Sequence, residues 1–237
     1  MTSGFFNEHP RFLDTSTTAV DADRLNIRHR ELIQRNRDVL AGARVLDIAS
    51  HDGRWSFAAL DAGATHVTGV EARPELVAHA EQSLAAYGAE PGSYRFIAGD
   101  VFGVLAREKL HVDVVQCFGF LYHTLRYPEL FSRLRDLEPQ RLLLDTRVER
   151  GKGRLIRVAL NEVTAQAQAA PDDFTEGTRA LVGVPTRQAL RFMLRTYGFH
   201  VEEAVEWDEA VQDAKPTTMQ RYRKGSRISW RCRWSPP

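Results

Sequence analysis

The sequence predicts an α/β fold: a seven-stranded, mostly parallel sheet with an antiparallel edge strand and helices on both faces. Three observations carry this. Short apolar runs recur at 44–48, 66–71, 94–98, 112–118 and 141–145, with amphipathic segments between them. The first run breaks into a small-residue turn, Ala49-Ser50-His51-Asp52-Gly53, that opens the next amphipathic segment. Strand, tight turn and helix in that order point backbone N–H groups at a ligand. An acidic residue, Glu71, ends the second run, the usual place for a partner to ribose hydroxyls.

The totals agree with one domain spanning 1–237. Hydrophobic content of 43% and charged content of 27% are those of an ordinary globular protein. No stretch approaches the ~18–20 apolar residues of a membrane span. The N-terminus lacks a basic segment followed by an apolar core, so no signal peptide is expected. Cys117 and Cys232 are far apart in sequence, read as reduced, half-buried thiols of a cytoplasmic protein, and are too few for a structural zinc site. The net charge is +1, yet seven Lys or Arg and no acid follow Asp213. Such an end can track phosphates or form the solvated face of a strand.

Taken in order, residues 1–20 read as an extended arm carrying Phe5, Phe6 and Phe12. One helix, capped by Asp21 or Asp23, runs to Leu40 with Leu25, Leu32, Ile33 and Leu40 on its apolar face, and Gly42 closes it. Residues 1–41 thus form an N-terminal arm and helical cap. The strand at 44–48 leads into a helix over 54–62. The strand at 66–71 leads into a helix from Pro74 to Tyr87, since proline suits a first turn. The strand at 94–98 ends in Gly99-Asp100 and leads into a short helix over 102–108. The strand at 112–118 is followed by a helix over 128–137, and the fifth strand spans 141–145. Residues 149–184 interrupt the alternation. Within them 154–163 fits a strand or a short helix equally, and 165–183 reads as loop or weak helix. An insertion of this length suits a lid or substrate-covering element. Thr186 caps a last helix that Gly198 stops. Residues 199–207 form strand six, and 227–234 form strand seven with Ile228, Trp230, Cys232 and Trp234 on one face. The last two strands suit an antiparallel pair at the sheet edge.

This order, with Asp47 in the first strand, Glu71 after the second and Gly99-Asp100 after the third, resembles the class I S-adenosylmethionine-dependent methyltransferases over about residues 40–235. The resemblance implies a Rossmann-like domain with S-adenosyl-L-methionine as cofactor. By it, Ala49, Ser50, His51 and Gly53 lie beneath the methionine end, Asp47 orients the loop from below, and Glu71 with Ala72 binds the ribose. Asp100 accepts from the adenine amino group, with Val101 or Phe102 against the ring, and Phe118 and Phe120 flank the cofactor. The family's commonest loop has glycine where Ala49 and His51 stand, so His51 is expected to need room and a non-glycine backbone. A nicotinamide enzyme is the rival for this fold, but its three closely spaced glycines are missing. A narrower similarity, at residues 118–124, Tyr127-Pro128, 142–146 and 185–190, is to actinobacterial sugar and small-molecule O-methyltransferases and to tRNA wobble-uridine carboxymethyltransferases, which use a carboxylated form of the cofactor.

A hydroxyl acceptor must lose its proton, and histidine is the commonest group for that. His123 and Asp145 are the catalytic candidates, with His51 behind them on the same rim. Each has a bland alternative: His123 as a hydrogen-bonding residue beside Tyr122, Asp145 as a salt-bridged or capping carboxylate. Asp145 could also orient a histidine or hold Mg²⁺, with Glu149 and Glu162 as companions. Tyr122 and Arg147 are assigned to the acceptor. Trp55 is expected in the helix–sheet core, and the aromatic arm either covers the pocket or simply packs. The leading expectation is methyl transfer to a hydroxyl of a small molecule, a sugar or oligosaccharide. The alternatives are an RNA-modifying alkyltransferase, suggested by the basic C-terminal end, and a non-catalytic cofactor-binding module. A homodimer is compatible with the sequence.

Overall fold

The structure is a computed structural model that describes residues 4–15, 22–164, 172, 174–212, 214 and 219–236. Asp21, the Ser/Thr run at 16–18 and most of the segment at 165–173 lie outside the described residues.

The chain opens with two short helices, α1 (Phe5–Glu8) and α2 (Arg11–Asp14), where an extended arm was expected. Phe6 and Phe12 are fully buried against Trp55 and Phe57, so aromatic packing holds this arm to the domain. The expected single helix to Leu40 is broken into α3 (Asp23–Leu32), a 3₁₀ turn (Gln34–Asn36) and α4 (Arg37–Leu40). The break has a local cause. The Asn36 side chain donates to the Leu32 carbonyl at 3.0 Å, while its backbone N–H turns to Ile33. The side chain thereby takes the bond that an α-helix would give its own backbone. Asp23 sits in the first turn of α3 without capping it.

The alternating core follows as predicted: β1 (Arg44–Ile48), α5 (Arg54–Asp61), β2 (His66–Glu71), α6 (Pro74–Ala86), β3 (Tyr94–Ala98), α7 (Val101–Arg107), β4 (Val114–Phe118), α8 (Tyr127–Arg135) and β5 (Arg141–Arg147). The insertion carries a β-hairpin, β6 (Ile156–Glu162) and β7 (Arg179–Pro185): of the two readings of 154–163 the strand holds, and residues 179–183 are strand rather than loop or weak helix. The chain ends with α9 (Arg187–Thr196), β8 (Phe199–Ala204), α10 (Trp207–Ala210), α11 (Gln220–Arg223) and β9 (Arg227–Trp234). The Thr186 hydroxyl caps α9 by accepting from the Ala189 N–H.

The seven main strands stand in the order β3-β2-β1-β4-β5-β9-β8. β1 to β5 are parallel, and β9 runs antiparallel to both β5 and β8, so the antiparallel strand sits one place in from the edge. Alternate residues serve opposite faces: Val45 packs with α3, α4 and α5, while Leu46 and Ile48 pack with α7, α8 and α9. Both thiols, Cys117 and Cys232, are fully buried rather than half-buried.

The strand order reverses between β1 and β4, so the loops after these strands diverge and leave a crevice above the C-terminal edge of the sheet. The hairpin lies over that rim. The Tyr127 hydroxyl donates to the Gly183 carbonyl, the Gly183 N–H donates to Thr124, and Arg73 reaches the Val163 carbonyl at 3.1 Å. The inner side of the hairpin carries the small apolar cluster Ala159, Val163, Ala180 and Val182.

Candidate active site

The turn after β1 keeps the backbone of a glycine loop without the glycines. Ala49 and His51 have φ of 53° and 54°, and Gly53 follows at 77°. This overturns the expectation that His51 imposes a non-glycine backbone: it adopts the left-handed conformation and carries its cost, of order 1–2 kcal/mol for an L-residue. The compensation is visible. The His51 N–H donates to Glu71 Oε2 at 3.0 Å, and the Ser50 N–H to the Val70 carbonyl at 3.0 Å. Gly53 itself is forced, since a Cβ there would stand 2.8 Å from the Ala80 Cβ. Ala49→Gly is therefore expected to raise unfolding stability by about 0.5–1 kcal/mol in urea titrations, where the same exchange in a helix costs that much. A loss of stability would mean that the left-handed backbone at Ala49 is not strained.

Asp52 lies in this turn, fully buried, and no local pattern in the sequence marks it as such. Arg54 clamps it through Nε to Oδ1 at 2.7 Å and Nη2 to Oδ2 at 2.6 Å, and the Thr15 hydroxyl also donates to Oδ2. Although burial opposes ionisation, Arg54 and then His51 hold the Asp52 carboxyl well below the usual range. The N-terminal arm thus closes on the loop through Thr15. Asp47 is also buried and accepts from Ser56 at 2.7 Å. Burial pushes its pKa up to about 7, with Ser56 opposing and the charges of Asp52 and Glu71 adding to the rise.

Glu71, at the end of β2, accepts the Arg73 N–H at 3.0 Å on Oε1 besides the His51 N–H on Oε2. Each carboxylate oxygen has lone-pair capacity for a second donor. Ala72 follows it, half-buried. Asp100 stands at the end of β3 and caps α7 by accepting the Gly103 N–H at 3.0 Å on Oδ2. Val101 and Phe102 are buried in α7, and the Arg126 guanidinium lies 3.7 Å from the Phe102 ring centroid. Phe120 is 6.1 Å from Phe102, whereas Phe118 is turned beneath the sheet, edge-on to Trp55 at 5.8 Å. Buried against that core, Phe118 does not line the crevice as expected. The Ser50 hydroxyl is buried without a hydrogen-bond partner, beside Gly69 of β2. The loop, Glu71 and Asp100 therefore stand at the C-terminal ends of three adjacent strands, β1, β2 and β3.

Asp145 is the correction on the acceptor side. It is 0% exposed, and both of its oxygens are occupied. Arg227 donates to Oδ1 at 2.7 Å, and Arg28 (2.8 Å) and the Tyr222 hydroxyl (2.7 Å) donate to Oδ2. Against burial, Arg227 and Arg28 hold its pKa at about 2. A sealed, doubly paired carboxylate of this kind neither takes a proton from an acceptor nor ligates Mg²⁺. Glu149 is committed to Arg157, and among the described residues no group of three His, Cys, Asp or Glu is placed to hold a metal ion. The basic final strand is likewise not a solvated face where it meets β5. Arg227 is buried on Asp145, and Arg231 meets Glu203 at 2.9 Å and Asp38 at 3.2 Å.

His123 and Tyr122 stand together in the 3₁₀ turn Leu121–His123, ring centroids 4.4 Å apart, on the rim beneath the hairpin. His123 Nδ1 is 3.3 Å from the Asn161 side-chain nitrogen of β6, a partner without any sequence signal. Burial, then Arg147, Arg227 and Arg73, lower its pKa to about 4, so the imidazole is neutral at pH 7. Tyr122 accepts from Arg227 at 3.2 Å, and the Arg147 guanidinium lies 4.3 Å from its ring centroid. Burial opposes ionisation of Tyr122, but Arg227 and Arg147 outweigh it and lower its pKa.

With this geometry in view, a family model described as a methyltransferase domain matches residues 45–138, the stretch from β1 through α8. Solved structures agree over most of the chain. The N-terminal domain of EvdMO1, with S-adenosylhomocysteine bound, is 17% identical with a TM-score of 0.60, covering 87% of this chain and 81% of that one. The magnesium protoporphyrin IX methyltransferase of Synechocystis PCC 6803, also with S-adenosylhomocysteine, is 16% identical at a TM-score of 0.60, covering 95% and 94%. The 1,6-didemethyltoxoflavin-N1-methyltransferase of Burkholderia thailandensis, bound to that compound and S-adenosylhomocysteine, is 16% identical at 0.60, covering 96% and 85%. No curated protein sequence matches significantly. The chain has the Rossmann-like fold of the S-adenosylmethionine-dependent methyltransferases. At such identities the likeness is one of fold, and the differing acceptors of these neighbours leave the acceptor to the site itself.

Proposed function

We propose that the protein is an S-adenosylmethionine-dependent methyltransferase acting on a hydroxyl of a small molecule, a sugar or short oligosaccharide among the candidates, with His123 as the base. The observation that carries this is the neutral His123 on the rim, beneath a hairpin that covers the crevice between the β1 and β4 loops. When bound, the cofactor supplies an activated methyl group on a sulfonium. The protein's part is to hold the acceptor in line and to take its proton. For His123 to accept at Nε2, Nδ1 must carry the ring proton, and the Asn161 amide must turn its oxygen toward it. Asn161 is then a positioning residue. Glu71 and Asp100 would hold the ribose and adenine ends. A covered crevice favours a small acceptor over RNA, and so does the use of Arg227 and Arg231 in internal ion pairs. No described helix is long and apolar enough to cross a membrane.

The test begins with calorimetry of S-adenosylhomocysteine, followed by mass spectrometry of a panel of hydroxylated acceptors for gain of a methyl group. His123→Ala is expected to cut turnover of the identified acceptor by about 100-fold or more with cofactor affinity intact, the usual scale of general-base removal. Unchanged turnover in that variant would remove His123 from the chemistry. Absence of cofactor binding by the wild type would favour a partner module over an enzyme.

A further inference from the structure

Beside Tyr122 the rim carries more positive charge than it neutralises. Arg147 ends β5 and stands directly opposite Arg227 of β9 in the antiparallel register. Like charges facing each other across two strands destabilise the pair. Arg227 is relieved by Asp145, to which it donates through Nε and Nη2. Arg147 has no such relief: among the described residues no carboxylate lies within ion-pair distance of it. Its Nε is buried with no hydrogen-bond partner, and its guanidinium rests on the Tyr122 ring. Burial disfavours its charge; the Tyr122 oxygen opposes this, and the neighbouring cations Arg221, Arg227 and Arg157 add to the cost. An arrangement that costs stability in the free protein is explained if something anionic completes it.

We propose that Arg147, together with the Tyr122 hydroxyl, is a carboxylate-binding site, so that the acceptor is a hydroxylated molecule that also bears a carboxylate. The inference rests on the methyltransferase reading above and names its substrate class. The chemistry is specific. A guanidinium presents a planar fork that matches a carboxylate in two parallel hydrogen bonds. The Tyr122 oxygen already accepts from Arg227, which leaves its O–H to donate as a further contact. One fork and one hydroxyl suit a carboxylate better than a phosphate dianion, which needs more donors. The location is also apt, since Tyr122 adjoins His123. A carboxylate held there would offset one of the cations that lower the basicity of His123. Acceptor binding would then prepare the base.

The test needs no knowledge of the natural acceptor. The thermal midpoint of the full chain is measured at constant ionic strength while chloride is replaced by benzoate, acetate or, in a separate arm, phosphate. Benzoate at about ten times its dissociation constant is expected to raise the wild-type midpoint by ~3–5 °C. Arg147→Gln should start from an equal or higher midpoint and lose the response. Arg147→Lys, which keeps the charge without the fork, should retain a reduced response and serves if the glutamine variant fails to fold. Equal responses in wild type and variants, no response to either carboxylate, or a response to phosphate alone would overturn the proposal. The methionine end of the cofactor also carries a carboxylate, so S-adenosylhomocysteine affinity is measured in parallel. It should stay within about twofold in Arg147→Gln, and a loss beyond about tenfold would assign Arg147 to the cofactor and overturn the acceptor site. Failure of the wild type to bind S-adenosylhomocysteine would instead count against the methyltransferase reading, which keeps the two outcomes apart.

Discussion

Replacing Asp145 with alanine is expected to lower the free energy of unfolding by about 3–5 kcal/mol, the usual cost of removing one partner from a buried ion pair. The loss arises from what remains. Arg227 is 4% exposed and Arg28 7%, and without Asp145 neither guanidinium has its carboxylate, while the Tyr222 hydroxyl loses its acceptor. These partners come from β9, α3 and α11, so the damage spreads beyond one strand. For a chain of this size the thermal midpoint should fall by ~10 °C. Asp145→Asn keeps an acceptor oxygen without the charge and should lie between alanine and wild type. A loss below about 1 kcal/mol for the alanine variant would mean that water replaces the carboxylate. The pH dependence follows with a definite sign. The folded pKa is held at about 2, below the ordinary value of 3.8. The stabilisation is therefore complete above the unfolded pKa and is lost as pH falls through about 2. Wild type should lose more stability between neutral pH and pH 2 than Asp145→Asn, and urea midpoints across that range measure the difference.

The same carboxylate marks the boundary of what the sequence discloses. The strands at 44–48, 66–71 and 94–98 are legible because buried parallel strands are nearly continuous apolar runs, and the reading matches β1, β2 and β3 to the residue. Glu71 and Asp100 are legible because their places at strand ends are fixed by local chain order. Asp145 is legible as a rim carboxylate but not as a sealed one, because its partners lie 117, 77 and 82 residues away. The hairpin is only half legible for a similar reason: 154–163 fits a strand or a short helix, and its partner strand carries no signal. β6 alternates weakly, with Val158 and Leu160 exposed on its outer face, and only pairing with β7 makes it a strand. The backbone of His51 is not legible because intrinsic preference takes no account of compensation, and Glu71, twenty residues on, accepts its N–H. Local propensity and period are carried by neighbouring residues; the electrostatics of a site are carried by distant ones.

Glu71→Ala is expected to weaken S-adenosylhomocysteine binding by about 30–100-fold. Two contributions add. By the proposed reading the carboxylate accepts from ribose hydroxyls, and hydrogen bonds to a charged group contribute about 1.5–3 kcal/mol. It also accepts the N–H groups of His51 and Arg73 at 3.0 Å each, which pins a loop whose left-handed residues would otherwise relax. Glu71→Gln separates the two. The amide keeps one acceptor oxygen, so the loop stays partly held while the charge is lost, and affinity should fall by about tenfold. Calorimetry gives the affinities, and hydrogen exchange at the His51 amide reports the loop. If Glu71→Ala speeds exchange at His51 yet leaves S-adenosylhomocysteine affinity within about threefold of wild type, Glu71 holds the loop and does not touch the ribose. If affinity falls in both variants while exchange in Glu71→Gln stays near that of wild type, the loss belongs to the ribose contact, and the turn after β1 is a cofactor loop that Glu71 both shapes and completes.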